Sequence, residues 1–131
     1  MNSNKITTRL LRDLKETAKD SQGVGWGYKL AACVLDKRGR AVSMRANTYK
    51  THPIAARYNG WGHLHAEIHA AIAGGLDDYD GYSLIVIRVH KDGSLACSRP
   101  CDDCRRFMED VGFESVVYCD EEGELIEETI N

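Results

Sequence analysis

The stretch YSLIVIRVH, residues 82 to 90, constrains the fold more than any other part of the chain. It is a near-continuous apolar run with β-branched residues, and such a run reads as a central strand buried on both faces. A sheet built around it therefore carries helices packed against it.

The rest of the sequence supplies those helices. Residues 7 to 20 place Leu10, Leu11, Leu14 and Ala18 at helical spacing, which gives an amphipathic first helix stopped by SQGVGWG. YKLAACVLD and AVSMRANTY flank KRGR and read as two strands with a turn at Gly39. KTHPIAARYNGWG reads as a loop, because Pro53 and two glycines discourage regular structure. Residues 63 to 73, HLHAEIHAAIA, are rich in helix formers and end at Gly74 and Gly75 in the position of a C-cap.

After the KDG turn, Pro100 stands near the start of a third helix. Its first turn holds Cys101, Asp102, Asp103 and Cys104, its apolar side carries Phe107, Met108 and Val111, and it ends at Gly112. SVVYCD and ELIEETI then form a closing hairpin. Only EEG separates them, so they pair antiparallel, since parallel pairing needs a crossover of about a dozen residues. The order α-β-β-α-β-α-β-β predicts an α/β fold with a five-stranded mixed sheet.

At 131 residues the chain fits one domain and buries roughly two thirds of its unfolded surface. No run approaches the ~20 apolar residues of a membrane span. The first twenty residues lack an apolar core and carry charges of both signs, so they read as neither signal nor transit peptide, and a cytoplasmic protein is expected. Five cysteines, an odd number, argue for thiols or metal ligands over a disulfide framework. The net charge is −3, but six acids crowd residues 120 to 128 and the remainder carries +3. Net charge is thus a weak guide, and only the absence of a dense Lys/Arg stripe speaks against a long polyanion.

Two motifs carry chemistry. Cys101 and Cys104 are three residues apart, so on a first helical turn they project to the same side, and a helix N-terminus favours thiolates. Alone, this CxxC is equally a redox motif. The second motif, HAE at 65 to 67, adds His65, and three protein ligands with a fourth position left to water is the usual plan of a catalytic zinc site. Glu67 lies about 200° around an ideal helix from His65, which suits a proton shuttle better than an adjacent co-ligand. His65 and His69 also have the i, i+4 spacing of other zinc helices, but that arrangement leaves both cysteines without a role. His63 and His69 read as helix-start and helix-face residues, Cys33 as a small buried hydrophobe, and Cys97 and Cys119 as strand-end neighbours of the site.

HAE followed by PCDDC resembles the zinc-dependent cytidine and deoxycytidylate deaminase superfamily, with its H-x-E…P-C-x-x-C signature. The alternation of elements agrees from about residue 5 to residue 130, so one such catalytic domain over residues 1 to 131 is expected. The resemblance implies a three-layer α/β/α fold with Zn2+ held by His65, Cys101 and Cys104. It implies attack of activated water on C4 of cytosine, with Glu67 carrying the proton to ring N3 and then to the departing amine. Asn47, at the end of the second strand, takes the place of an asparagine that holds sugar or base, and the backbone amide of Ala66 binds the base carbonyl. A homo-oligomer is expected by resemblance alone.

Substrate identity stays open. The segment TYKTHPIAARYNGWG has Lys50 and Arg57 with Tyr49, Tyr58 and Trp61 between them, which suits a phosphate clamp with an aromatic cover, stacking on a single strand, or an ordinary surface loop. Ser98 and Arg99 are candidates for substrate contact. Histidine ligation resembles deoxycytidylate deaminases and nucleic-acid editing enzymes, whereas the antiparallel ending resembles cytidine deaminases. A free nucleoside or nucleotide is the leading expectation, ahead of a base in single-stranded DNA or RNA and of a purely structural zinc module.

Overall fold

The computed structural model describes residues 6–21, 29–59 and 64–131. Its elements run α1 (Thr8–Lys19), β1 (Lys29–Leu35), β2 (Ala41–Ala46), α2 (Pro53–Asn59), α3 (Ala66–Gly74), β3 (Ser83–Val89), β4 (Leu95–Ala96), α4 (Asp102–Val111), β5 (Ser115–Cys119) and β6 (Leu125–Thr129). The sheet order is β2-β1-β3-β5-β6, with β4 paired to β3. Within it β3 and β5 are parallel and every other pairing is antiparallel, including the closing hairpin of β5 with β6.

β3 lies at the centre, as its apolar run requires, and its alternating side chains sort into two cores. Ile85, Ile87 and Val89 join Ala31, Cys33 and Leu35 of β1 beneath Leu14 and Ala18 of α1. Leu84 and Val86 join Ala32 and Val34 beneath Ala66, Ile68, Ala70 and Ala71 of α3 and Phe107 and Met108 of α4. The result is helix, sheet, helix in three layers. Among the described residues no helix is long and apolar enough to cross a membrane.

Three elements differ from the sequence expectation. The sheet has six strands, because the KDG turn folds Leu95 and Ala96 back onto Val89 and Arg88. Residues 53–59 form a short helix where a loop is expected. Pro53 occupies the first helical position, which needs no amide hydrogen, and His52 accepts the Ile54 amide through Nδ1 at 3.1 Å. Histidine is an uncommon helix cap, so the start of α2 carries little sequence signal. α3 also begins at Ala66, with His65 as its N-cap, three residues later than the sequence suggests; its end at Gly75, φ 75°, is the left-handed cap expected there.

Candidate active site

Residues at the ends of β1 and β3, and just after β2 and β4, meet the starts of α3 and α4 at one end of the sheet's central strands. A cavity of about 280 Å3 opens there, lined by Leu30, Asn47, His65, Ala66, Glu67, Arg88, Cys97, Ser98, Arg99 and Cys101. Its framework is backbone-bonded. Asn47 Oδ1 accepts the Leu30 amide at 3.1 Å. One residue on, Thr48 and Leu64 exchange backbone hydrogen bonds of 3.1 and 3.2 Å. That bridge holds the segment entering α3 against the end of β2 and so fixes where His65 stands.

His65 has extended backbone, φ −68° and ψ 153°, and makes no side-chain cap bond, which leaves its imidazole for another use. Cys101 is the N-cap of α4, and its Sγ accepts the Cys104 amide at 3.5 Å. The imidazole Nδ1 of His65 lies 3.2 Å from Cys104 Sγ and 3.7 Å from Cys101 Sγ. All three donor atoms lie within 4.8 Å of one another. Around a tetrahedral zinc, bond lengths of about 2.3 Å to sulfur and 2.0 Å to nitrogen put sulfur and nitrogen about 3.6 Å apart. The donor set and its spacing therefore fit that ion. No fourth residue joins this cluster among the described residues.

The titration of the group has the same meaning. The Cys101 thiol is brought down to about 3 by hydrogen bonds from Cys104 and then from His65. Cys104 moves up because it gives its hydrogen to Cys101 and because it is buried. His65 is raised by its hydrogen bond to Cys101. The three donors thus lie close enough to share protons, and the same closeness would let them share a metal ion. Glu67 is 4 % exposed, and burial raises its carboxyl above the usual range.

The ideal-helix angle between His65 and Glu67 does not describe them, since His65 precedes the helix and only Glu67 is on it. Both line the same cavity. Asn47 and Ala66 line it as well, both buried. Ser98 lines it, but its hydroxyl is engaged, donating to the Val86 carbonyl at 2.8 Å and accepting the Cys119 amide at 2.8 Å. One lone pair is left.

Tyr58 stands apart from these residues. It lines a second cavity with His52, Arg57 and Phe107, packs edge-on against Phe107, and donates to Asp110 at 2.8 Å. The helical turn of α2 directs it there. Neither Lys50 nor Arg57 lines the first cavity, and Trp61 and His63 lie outside the described residues. His69 donates from Nδ1 to the Ala46 carbonyl at 2.7 Å and is satisfied on the helix face. Cys33 is buried, which pushes its thiol up to about 12. Cys119 is buried, and Cys97 lines the cavity without joining the three-donor cluster.

Arg88 was not among the residues singled out from the sequence. Its signal lies in the central strand itself: on the face of Leu84 and Val86, the third place belongs to a charge.

The fold is that of the cytidine deaminases. The cytidine deaminase from Burkholderia pseudomallei superposes with a TM-score of 0.66 at 17% identity, over 95% of this chain and 94% of that one. The cytidine deaminase from Mycobacterium leprae gives 0.57 at 16% identity, over 91% and 88%. The dCMP deaminase from the cyanophage S-TIM5 gives 0.51 at 21% identity, over 88% and 86%. No protein-family model matches the sequence, and no curated protein matches it.

Proposed function

We propose that this chain is a zinc-dependent hydrolase that deaminates the cytosine of a free nucleoside or nucleotide, releasing ammonia and leaving uracil. The observation that carries the reading is the convergence of one imidazole and two thiols at the wall of a cavity that His65, Cys101 and the buried carboxyl of Glu67 line. His65, Cys101 and Cys104 hold the metal in this reading, and residues 1 to 131 act as one catalytic domain in the cytoplasm. Zinc in such a site supplies the Lewis acidity that makes water nucleophilic near neutral pH.

The chain's own groups do the rest. Glu67 takes a proton from the attacking water as the C4–O bond forms, and delivers it to ring N3. It then takes the proton of the new C4 hydroxyl and passes it to the 4-amino nitrogen as the C4–N bond breaks and the C4 carbonyl forms, so that neutral ammonia leaves. Burial suits Glu67 to this work, because a carboxyl raised above its usual range holds a proton long enough to hand it on. Ala66 offers a first-turn amide, unpaired within α3, to the base carbonyl. Asn47 holds the sugar or base from the end of β2.

The test is loss of cytosine absorbance with cytidine, deoxycytidine, dCMP and dCTP as substrates, beside bound-zinc measurement. Glu67→Gln is expected to lower turnover by at least about 10²- to 10⁴-fold with zinc retained. A zinc-loaded protein inert toward every cytosine substrate, free or in an oligonucleotide, overturns the reading, as does an unimpaired Glu67→Gln.

A further inference from the structure

Asn47 is held at the end of an edge strand. β2 ends the strand order, so among the described residues one of its edges has no strand beside it. The Asn47 amide donates to the Leu30 carbonyl of β1 at 3.2 Å. Peptide groups alternate in direction along a strand, so the Ala46 carbonyl, one residue earlier, is on the open edge.

His69 meets that carbonyl. Its Nδ1 donates to Ala46 at 2.7 Å, and its backbone amide donates to the His65 carbonyl at 3.0 Å. One residue of α3 is thus bonded through its main chain to a residue of the donor cluster, and through its side chain to the residue before Asn47. A second tie between the same two elements lies three residues back along β2, where Ser43 Oγ donates to the Ala70 carbonyl at 2.7 Å. The Ser43 bond fixes the middle of β2 against the helix, and the His69 bond fixes its end.

His69 does not line the cavity that Asn47, Ala66 and Glu67 share. Its imidazole lines a separate recess with Asp20, Thr48 and Lys50, so it acts on a substrate only through what it holds. Apart from Glu67, the side chains that α3 buries are those of Ala66, Ile68, Ala70 and Ala71. Against that apolar background a half-buried imidazole has a desolvation cost, and the bond to an edge carbonyl is what offsets it.

We propose that His69 is a positioning residue of the deaminase site: by holding the Ala46 carbonyl it sets Asn47, at the end of β2, against Ala66 and Glu67, at the start of α3. The inference rests on the deaminase reading and adds to it the group that keeps the substrate-holding and proton-transferring walls in register. Binding groups lose their effect when displaced by a fraction of an ångström, which is why such a tie matters to the chemistry.

The experiment compares the full-length zinc-loaded protein with His69→Leu and His69→Asn. Leucine fills similar space and has no donor. The asparagine Nδ2 stands two bonds beyond Cβ, as the imidazole Nδ1 does, so it keeps the donor in place. With cytidine and deoxycytidine, His69→Leu is expected to raise KM about 5- to 10-fold, the size of one neutral hydrogen bond, with kcat and zinc content little changed. His69→Asn is expected to restore KM and, since asparagine does not titrate, to leave the pH profile of kcat/KM where it was. In a double-mutant cycle with Asn47→Ala the two KM effects should not add, because both variants lose the same substrate contact. Hydrogen exchange supplies a readout without turnover. In His69→Leu the amides of Asn47 and Thr48, which donate to Leu30 and Leu64, are expected to exchange about 5- to 10-fold faster, with those of β3 unchanged. Should His69→Leu fail to fold, His69→Gln, whose amide is carried one bond further from Cβ, is expected to show a smaller rise in KM.

An unchanged KM in His69→Leu overturns the proposal and leaves the deaminase reading intact. A loss of kcat alone, or a pH profile displaced in His69→Asn, overturns it as well, since either result assigns His69 to proton transfer. Faster exchange spread evenly over β1, β2 and β3 overturns it too, because the bond then serves general stability. If no cytosine substrate is turned over, yet exchange at Asn47 and Thr48 rises in His69→Leu and not in His69→Asn, the tie stands and the deaminase reading falls; if exchange does not rise either, both fall.

Discussion

The two faces of β3 start alike and end differently. Toward α1 the strand presents Ile85, Ile87 and Val89, all in a closed apolar core. Toward α3 and α4 it presents Leu84 and Val86, and then Arg88 at the edge of a cavity. The helices over the two faces differ in the same way. α1 begins with Thr7, whose Oγ1 accepts the Leu10 amide at 3.0 Å. α3 and α4 begin with His65 and Cys101, whose side chains turn toward one another. One face holds the domain together. The other gives up part of its apolar area and two ordinary helix caps to a cluster of donors, so changes on the two faces should separate stability from chemistry.

The largest effect is expected from Cys104→Ala. Cys104 is buried and contributes one of three donor atoms. Its removal leaves two protein donors, and in small zinc proteins metal binding and local folding are linked. The expected outcome is zinc content falling from about one per chain to near zero, turnover lost with it, and a lower melting temperature. Full zinc content and normal turnover in this variant would erase the distinction between the faces at its chemical end.

Ile85→Ala tests the closed face. Ile85 is fully buried between the β1 side chains and α1, and a substitution of this kind costs about 2–5 kcal/mol through lost transfer energy and the cavity left behind. Against a total stability of about 5–15 kcal/mol, the denaturation midpoint should fall sharply. Zinc content and turnover per folded molecule should not change. A zinc site that empties in step with this substitution would mean that the two layers are coupled through β3 more tightly than the separation of their cores implies.

How much of this was legible in the sequence follows from the range of each signal. The central strand, α1, α4 and the HAE and CxxC motifs are written in neighbouring residues, and they stand where the sequence places them. α2 is missed because its N-terminal bond comes from His52, a residue rarely read as a cap. β4 is missed because two residues carry no periodicity. The choice among polar residues near the site is the least legible. Tyr58 and Arg57 had the right chemistry, but α2 sets Tyr58 against Asp110 and Phe107 and leaves Arg57 at the second cavity. Ser98 reaches the cavity with its hydroxyl already bonded across two strands. Arg88 was concealed by its neighbours, since a run that is apolar as a whole hides which face its one charge takes.

Thr7→Ala is the smallest change and sharpens the comparison most finely, because Thr7 and Cys101 occupy the same position on their helices. Each accepts an amide three residues on, Leu10 in one case and Cys104 in the other. Losing a threonine cap costs about 0.5–2 kcal/mol. The expected result is a modest drop in the denaturation midpoint, with zinc content and kcat/KM unaltered. At Cys101 the same position is taken by a residue outside the favoured caps, whose sulfur is a weaker acceptor than a hydroxyl oxygen, so α4 begins less well than it might by helix chemistry alone. In the zinc reading, the metal is the sulfur's second partner and accounts for the difference. Zinc content that falls in Thr7→Ala would show that α1 is needed to hold the donors, and the two caps would then differ in degree and not in kind.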